Sequence, residues 1–304
     1  MNTRRIGTLT VSVVGLGCNN FGMTIDERQS IEVVAAALDA GINFFDTADM
    51  YGGSNSEHFL GKALAKRRND AIVATKFGHR VSAEFGGGAK PEYVKRAAEA
   101  SLRRLNVDCI DLYQLHTPDR SVPIGDTLAA MNELVKAGKV REIGCSNFSV
   151  AQLREAESAV KAGAAKFVSV QNEYSLLHRD PEKDVLPECE RMGLAFLPYF
   201  PLASGLLTGK YAKGVPPPKG TRMQMPWAAS GMTDTRMSVV DSLRTIAERS
   251  GHTLLDLAFS WLLRREAVAS VIAGATRPEQ VRANAAATGW ELSKDDLAAI
   301  DRCC

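Results

Sequence analysis

Short apolar runs recur along the chain, and each is followed by a longer stretch whose apolar positions repeat at helical spacing. β-rich pieces around Gly7 read as a small hairpin, and residues 13–16 read as the first strand proper. Over 26–40, Ile31, Val34, Ala35 and Leu38 mark a helix, with Thr24 or Asp26 as its cap and Gly41 at its end. The pattern then repeats. A strand at 42–45 precedes a helix at 56–66, and a strand at 72–75 precedes a helix at 91–105 that starts on Pro91. A strand at 110–115 leads to a helix ending at Lys136. A strand at 140–145 leads to a helix capped by Ser149 and running to Lys161. The sixth strand, 167–171, precedes a helix at 181–192 closed by Gly193, and the seventh is 195–199. An irregular segment, 202–232, comes before helices at 235–250 and 253–264, and the eighth strand is 268–272. Pro278 starts another helix, and S-K-D-D caps a last one over 293–300.

Eight strand-then-helix units with apolar strands predict a parallel sheet. That number in one chain of 304 residues fits a closed (β/α)8 TIM barrel with an N-terminal β-hairpin. An open doubly wound sheet is the alternative, but its G-x-G-x-x-G fingerprint is missing, since Gly15-Leu16-Gly17 runs on into Cys18-Asn19-Asn20. No internal linker breaks the pattern, so residues 1–304 read as a single barrel domain.

Composition narrows the function classes. With 45% hydrophobic and 24% charged residues, disordered and fibrous chains drop out. A net charge of +2 does not point to a nucleic-acid or membrane partner. No apolar run approaches the roughly 18 residues of a membrane helix, and M-N-T-R-R-I-G has no apolar core behind its charge. The six cysteines form no C-x-x-C pair, which fits free thiols in a reducing cytoplasm and no metal site. Cys303 and Cys304 read as a frayed tail. Nothing in the chain chooses between a monomer and an oligomer.

The candidate chemistry lies where strands end. Residues 43–52 read N-F-F-D-T-A-D-M-Y-G, so an apolar run stops at Asp46 and Tyr51 follows in the loop. The next two strands end in Lys76 and His116. In a barrel these four converge on the C-terminal mouth. A phenol titrating near 10 is a poor proton donor at neutral pH. A neighbouring ammonium lowers it, and a carboxylate holds that ammonium in place. Asp46, Lys76 and Tyr51 supply these parts, and His116 can orient a carbonyl oxygen. Asp49, between them, reads as a loop cap or a solvated charge.

Over essentially its whole length the chain resembles the aldo-keto reductases. The matching pieces are G-L-G-C-N-N-F-G at 15–22, F-D-T-A-D-M-Y-G at 45–52, T-K-F-G at 75–78, D-L-Y-Q-L-H at 111–116 and G-C-S-N-F at 144–148. Q-N-E-Y at 171–174, P-Y-F-P-L-A-S-G-L-L-T-G-K-Y at 198–211 and G-A-T-R-P-E-Q-V-R-A-N at 274–284 complete the set. The resemblance implies NADPH-dependent reduction of a small-molecule aldehyde or ketone, with Tyr51 as general acid, Lys76 lowering its pKa, Asp46 pairing with Lys76 and His116 positioning the carbonyl. It further implies that Ser146, Asn147 and Gln171 hold the nicotinamide carboxamide and that Tyr199 stacks on the ring. Leu202, Ser204, Gly205, Leu207 and Lys210 would follow the pyrophosphate, with Arg222 closing over it. Thr276, Arg277, Gln280 and Asn284 would surround the adenosine and its 2′-phosphate, and Gly17 and Cys18 would approach from the first loop.

Two positions depart from the family pattern. Some relatives carry a lysine near 274 as the main 2′-phosphate ligand. Here it is Gly274, so NADP preference would lean on Arg277, with Arg282 beside it. Position 200 is Phe where a serine is common. The resemblance also admits a cofactor-binding regulatory or redox-sensing subunit with little turnover, and the fold admits barrel enzymes of other chemistry. Substrate choice would lie in loops 20–23, 80–90 and 216–232, giving an apolar pocket near Phe21, Met50, Phe77, Met223, Met225 and Trp227. With four residues after Ile300, no long C-terminal loop is expected to close the site.

Overall fold

The computed structural model describes residues 1–304 apart from the side chain of Trp227. The chain opens on an antiparallel pair, β1 (Thr3–Ile6) and β2 (Leu9–Ser12). Eight parallel strands follow: β3 (Val14–Gly17), β4 (Phe44–Asp46), β5 (Ile72–Phe77), β6 (Ile110–Leu115), β7 (Val140–Ser146), β8 (Phe167–Glu173), β9 (Ala195–Tyr199) and β10 (Val271–Gly274). Their hydrogen-bonded order is β10-β3-β4-β5-β6-β7-β8-β9. A parallel bridge from Phe196 to Val268 joins the two ends and nearly closes the barrel. The predicted eighth strand is thus displaced toward the C-terminus. Residues 267–269 bond to the Phe196 backbone, and pairing with β3 begins only at Val271.

The helices around the barrel are α1 (Glu27–Asp39), α2 (Asn55–Leu64), α3 (Pro91–Leu105), α4 (Ile124–Lys136), α5 (Val150–Ala159) and α6 (Val185–Met192). After β9 come α7 (Pro226–Ala229), α8 (Asp234–Arg249), α9 (Leu254–Leu263), α10 (Pro278–Ala286) and α11 (Lys294–Cys303). Side chains set several of their starts. Asp26 with Gln29, Ser149 with Gln152, Thr253 with Asp256 and Ser293 with Asp296 form reciprocal capping boxes. Each such cap contributes about 1 kcal/mol. The helix expected over 181–192 starts later, because Asp180–Glu182 form a 3-10 turn and the Asp184 carboxylate caps the Val185 amide. The last helix continues through Cys303, whose thiol donates to the Ala299 carbonyl, so the expected frayed tail is helical.

The strands are buried on both faces, as the unbroken burial of β3 and β6 shows. Outward apolar side chains pack on the helices. Inside, Phe44, Ala74, Leu112 and Leu197 meet Ile6, Leu9 and Val11 of the hairpin, which floors the barrel at the end where the strands start. Arg4 fixes that floor by donating to the carbonyls of Leu263, Arg265 and Val268. The opposite end, where the strands finish, is left for polar side chains. Among the described residues no helix is long and apolar enough to cross a membrane.

Candidate active site

Parallel pairing in register lines up the C-terminal ends of β4, β5 and β6, with Asp46 beside Ala74 and Lys76 beside Gln114. The loop after β4 stays hung on β5: Thr47 N–H donates to the Ala74 carbonyl and Asp49 N–H to that of Lys76. This brings Tyr51 back over Lys76. Tyr51 opens a 3-10 turn, Tyr51–Ser54, that needs Gly52 at φ 56°. A Cβ there would stand 2.3 Å from the Phe21 carbonyl oxygen, so glycine is required by space as well as by conformation.

The four residues singled out from the sequence do converge. Lys76 is fully buried, and its Nζ donates to Asp46 Oδ2 at 2.5 Å and to the Thr47 carbonyl at 3.0 Å. The ammonium lies 5.1 Å from the centre of the Tyr51 ring, and the Tyr51 and His116 rings meet edge to face at 5.7 Å. Asp46 Oδ1 accepts from Gln171 at 2.9 Å and from Gln114 at 3.2 Å. Every carboxylate oxygen is therefore partnered, the condition under which a buried charge is tolerated.

Gln114 was not singled out from the sequence, although a signal existed. Residues 112, 114 and 116 share one face of a strand with period two, so a polar side chain two before His116 had to point into the barrel.

The electrostatics follow from burial. Burial works against the Lys76 ammonium, but the charge and hydrogen bonds of Asp46 and Tyr51 outweigh it, and its pKa rises. Burial raises the Tyr51 phenol, and Lys76 pulls it back only in part. The expected lowering by Lys76 is present, yet burial wins and the phenol stays protonated. His116 is pushed down to about 2 by burial, then by Lys76 and His79, so its imidazole is neutral. Asp49 is not the solvated charge that the sequence had allowed. It is fully buried, its Oδ1 has no partner, and burial followed by the nearby Glu57 raises it to about 7.

Asp46, Tyr51 and His116 line a cavity of about 910 Å³, at the upper end of the roughly 300–1,000 Å³ of ligand pockets. Ser146, Asn147, Gln171 and Tyr199 line it. Ser146 Oγ donates to the Gln171 carbonyl at 2.7 Å, and the Tyr199 hydroxyl donates to Asn147 Oδ1 at 2.8 Å. Leu202, Ser204, Gly205 and Lys210 line it too. There the backbone takes positive φ at Phe200, Ala203, Ser204 and Gly205, a strained run of the kind stored at binding sites. Gly17, Arg222, Gly274, Thr276, Arg277, Gln280 and Asn284 also line the cavity. The last four lie at the start of α10 or along it, and a helix N-terminus favours an anion.

Some expectations are corrected. Cys18 and Leu207 are fully buried and do not line the cavity. Arg282 is absent from the lining and sits 3.9 Å from Glu279. Phe21 and Phe77 belong to the core, and Met223 is buried with them, whereas Met225 does line the cavity and Met50 is exposed. The Trp227 side chain lies outside the described residues. Asn20, Lys219 and Thr221 line the cavity from loops 20–23 and 216–232, which were expected to choose the substrate, whereas Asn19 and Thr208 line it and were not anticipated. A Cβ at Gly274 would come within 3.1 Å of Asn20 Nδ2 and 3.3 Å of Asn19 Oδ1, so these amides fill the space a longer side chain would enter.

The Aldo/keto reductase family model matches residues 13–304. The chain is 34% identical over 308 residues to "Probable aldo-keto reductase 1" of Glycine max, spanning 97% of this chain and 87% of that one. It is 35% identical over 301 residues to "Aldo-keto reductase YhdN" of Bacillus subtilis (strain 168), spanning 95% and 88%. Among solved structures, the glycerol dehydrogenase AKR11B4 from Gluconobacter oxydans superposes with a TM-score of 0.85 at 31% identity, covering 99% of this chain and 94% of that one. The chain belongs to the aldo-keto reductase family, and this membership makes it an oxidoreductase of carbonyl chemistry.

Proposed function

We propose that residues 1–304 form one barrel domain that reduces aldehydes or ketones to alcohols with NADPH, Tyr51 acting as the general acid. The observation that carries this reading is the buried Lys76–Asp46 pair beside a protonated Tyr51 and a neutral His116, with Asp46, Tyr51 and His116 lining a cavity of about 910 Å³.

The cavity fits the cofactor by its donors as well as its volume. Lys210, Lys219, Arg222 and Arg277 supply positive charge to its walls, and residues at the start of α10 line it as well. A bound nicotinamide supplies the hydride. The chain supplies everything else. Gln171 Oε1 and Ser146 Oγ retain acceptor capacity for an amide, since Gln171 bonds Asp46 through Nε2 and Ser146 bonds the Gln171 carbonyl through its hydroxyl hydrogen. Neutral His116 in its Nε2–H form donates to the carbonyl oxygen, and Tyr51 gives that oxygen its proton. The phenolate left on Tyr51 is stabilised by the Lys76 ammonium until water returns the proton. Asp46 keeps Lys76 in place and charged.

The test is NADPH oxidation by purified protein with 4-nitrobenzaldehyde, followed by absorbance, with NADH in parallel. We expect turnover, a preference for NADPH, and a fall in kcat of about 10²–10⁴-fold in Tyr51→Phe with NADPH binding retained. Absence of turnover in the unmodified protein, or an unchanged rate in Tyr51→Phe, would sink the reading.

A further inference from the structure

His116 differs from its three neighbours at the barrel mouth in how it is held. Asp46 and Lys76 are fixed by hydrogen bonds, and Tyr51 by its turn and by Lys76. The buried Nδ1 of His116 has no hydrogen-bond partner. An imidazole in a reaction centre is ordinarily oriented by a carboxylate or carbonyl bonded to its second nitrogen, which fixes ring rotation and tautomer together. That device is missing here, yet a carbonyl-orienting role requires a defined ring position.

Rings do the holding instead. Tyr51 meets His116 edge to face. The imidazole of His79 also packs against it, with centroids 4.4 Å apart and planes at 71°. Contacts of this geometry are favourable. The backbone brings the two histidines together by continuing the sheet: His116 N–H donates to the Phe77 carbonyl, one residue past the last paired position of β6. Gly78, at φ 120°, then turns the chain so that His79 follows, and Gly88 N–H donates to the Gly78 carbonyl to close that loop. His79 is half-buried and does not line the cofactor-sized cavity, so it touches His116 without facing that ligand.

We propose that His79 is a positioning residue for His116. Its ring, rather than its nitrogens, seats the His116 imidazole so that Nε2 faces the carbonyl. The proposal rests on the carbonyl-reducing function argued above. It adds that the loop after β5 controls the orientation of His116 through one side-chain contact. Removing the ring frees His116 to rotate, and misplacement of a donor near a reacting atom carries a large penalty in rate. The loss falls on an interaction made in the transition state, so it appears in kcat and kcat/KM alike, with KM little changed.

The experiment compares His79→Ala and His79→Phe in the full-length protein, with melting temperature and NADPH affinity measured as controls. In 4-nitrobenzaldehyde reduction we expect His79→Ala to lose about 10-fold in kcat with KM within about twofold. His79→Phe keeps an aromatic ring at the site and is expected to stay within about threefold of the unmodified protein. In a His116→Ala background, His79→Ala is expected to add nothing, because there is no imidazole left to position. A wild-type rate in His79→Ala, an equal loss in His79→Phe, or an equal loss in the His116→Ala background would each overturn the proposal. If the unmodified protein reduces no carbonyl, the proposed function falls separately. The His116 ring resonances then decide the positioning: one sharp set that broadens in His79→Ala and not in His79→Phe upholds it, and no difference overturns it.

Discussion

Lys76 and Asp46 form an ion pair at 2.5 Å, with their side chains 1% and 4% exposed. The pair is tied into the barrel by Gln114 and Gln171 on the carboxylate and by the Thr47 carbonyl on the ammonium. Removing one member leaves the other charge buried and unpaired, which costs about 3–5 kcal/mol, whereas replacing both with apolar side chains is often close to neutral. Lys76→Met is therefore expected to lower unfolding free energy by about that amount, and Lys76→Met with Asp46→Leu to recover most of it. Neither variant is expected to reduce carbonyls. Denaturant unfolding and NADPH oxidation, measured on the same samples, separate the two roles. A double variant that stays both stable and active would contradict the proton chemistry assigned to Lys76.

The pH profile of reduction follows from the two neutral groups at the site. Tyr51 as an acid works while its phenol is protonated. Burial, only partly offset by Lys76, holds that phenol above its ordinary 10.0, so the alkaline loss lies beyond pH 10. His116 titrates at about 2, so it is neutral everywhere above. Reductive kcat/KM is expected to be level from about pH 5 to 9. An inflection inside that window that disappears in Tyr51→Phe or His116→Phe would refute the assignment.

Asp49 makes the opposite kind of contribution. Burial, and then the neighbouring Glu57, raise its carboxyl from 3.8 to about 7 in the folded chain. The folded state thus binds this proton more tightly than the unfolded one. The stability it allows is fully present below pH 3.8 and is lost as pH rises through about 7. Each tenfold gain in proton affinity is worth about 1.4 kcal/mol at most. Asp49→Asn keeps the shape and removes the charge, so its melting temperature is expected to exceed that of the unmodified protein at pH 8 and to converge with it near pH 4. Parallel melting curves across that range would show that Asp49 does not titrate as described.

How much of this was legible in the sequence depended on whether a residue acts locally or through space. The capping boxes at Asp26, Ser149 and Ser293, and the helix start at Pro91, are local signals and reappear at their expected places. The convergence of Asp46, Tyr51, Lys76 and His116 was also readable, because strand ends in a parallel barrel share one rim. Burial was not readable. Asp49 in a polar loop gives no sign that α3 and Glu57 enclose it, with the Tyr93 hydroxyl 3.5 Å from its Oδ2. Phe21 and Phe77 beside motif residues read as pocket walls, yet their rings turn into the core. The eighth strand was displaced because apolar residues continue on both sides of Ser270 while the backbone partner changes from Phe196 to β3. Partner changes of that kind leave no mark on hydrophobic periodicity.

The loops after β3 and β9 are far apart in sequence, and a hydrogen bond between Arg222 and Asn20 joins them beside the cavity. Arg222 Nη2 donates to Asn20 Oδ1 at 2.7 Å, and both residues line the same space. Burial lowers the Arg222 pKa from its ordinary value, but guanidinium remains charged at any working pH. A hydrogen bond from a charged donor contributes about 1.5–3 kcal/mol. If this bond holds the two loops together around a bound cofactor, its loss shortens the residence of that cofactor. Arg222→Ala and Asn20→Ala are each expected to speed NADPH release about 10-fold, a value close to the lower end of that energy range. The double variant is expected to release no faster than the faster of the two single variants, because both substitutions remove the same bond. Stopped-flow fluorescence of bound NADPH chased with excess NADP+ measures the rate directly. Release at the unmodified rate in both single variants would mean the two loops are held by their own folds, and additive acceleration in the double variant would mean the residues act separately.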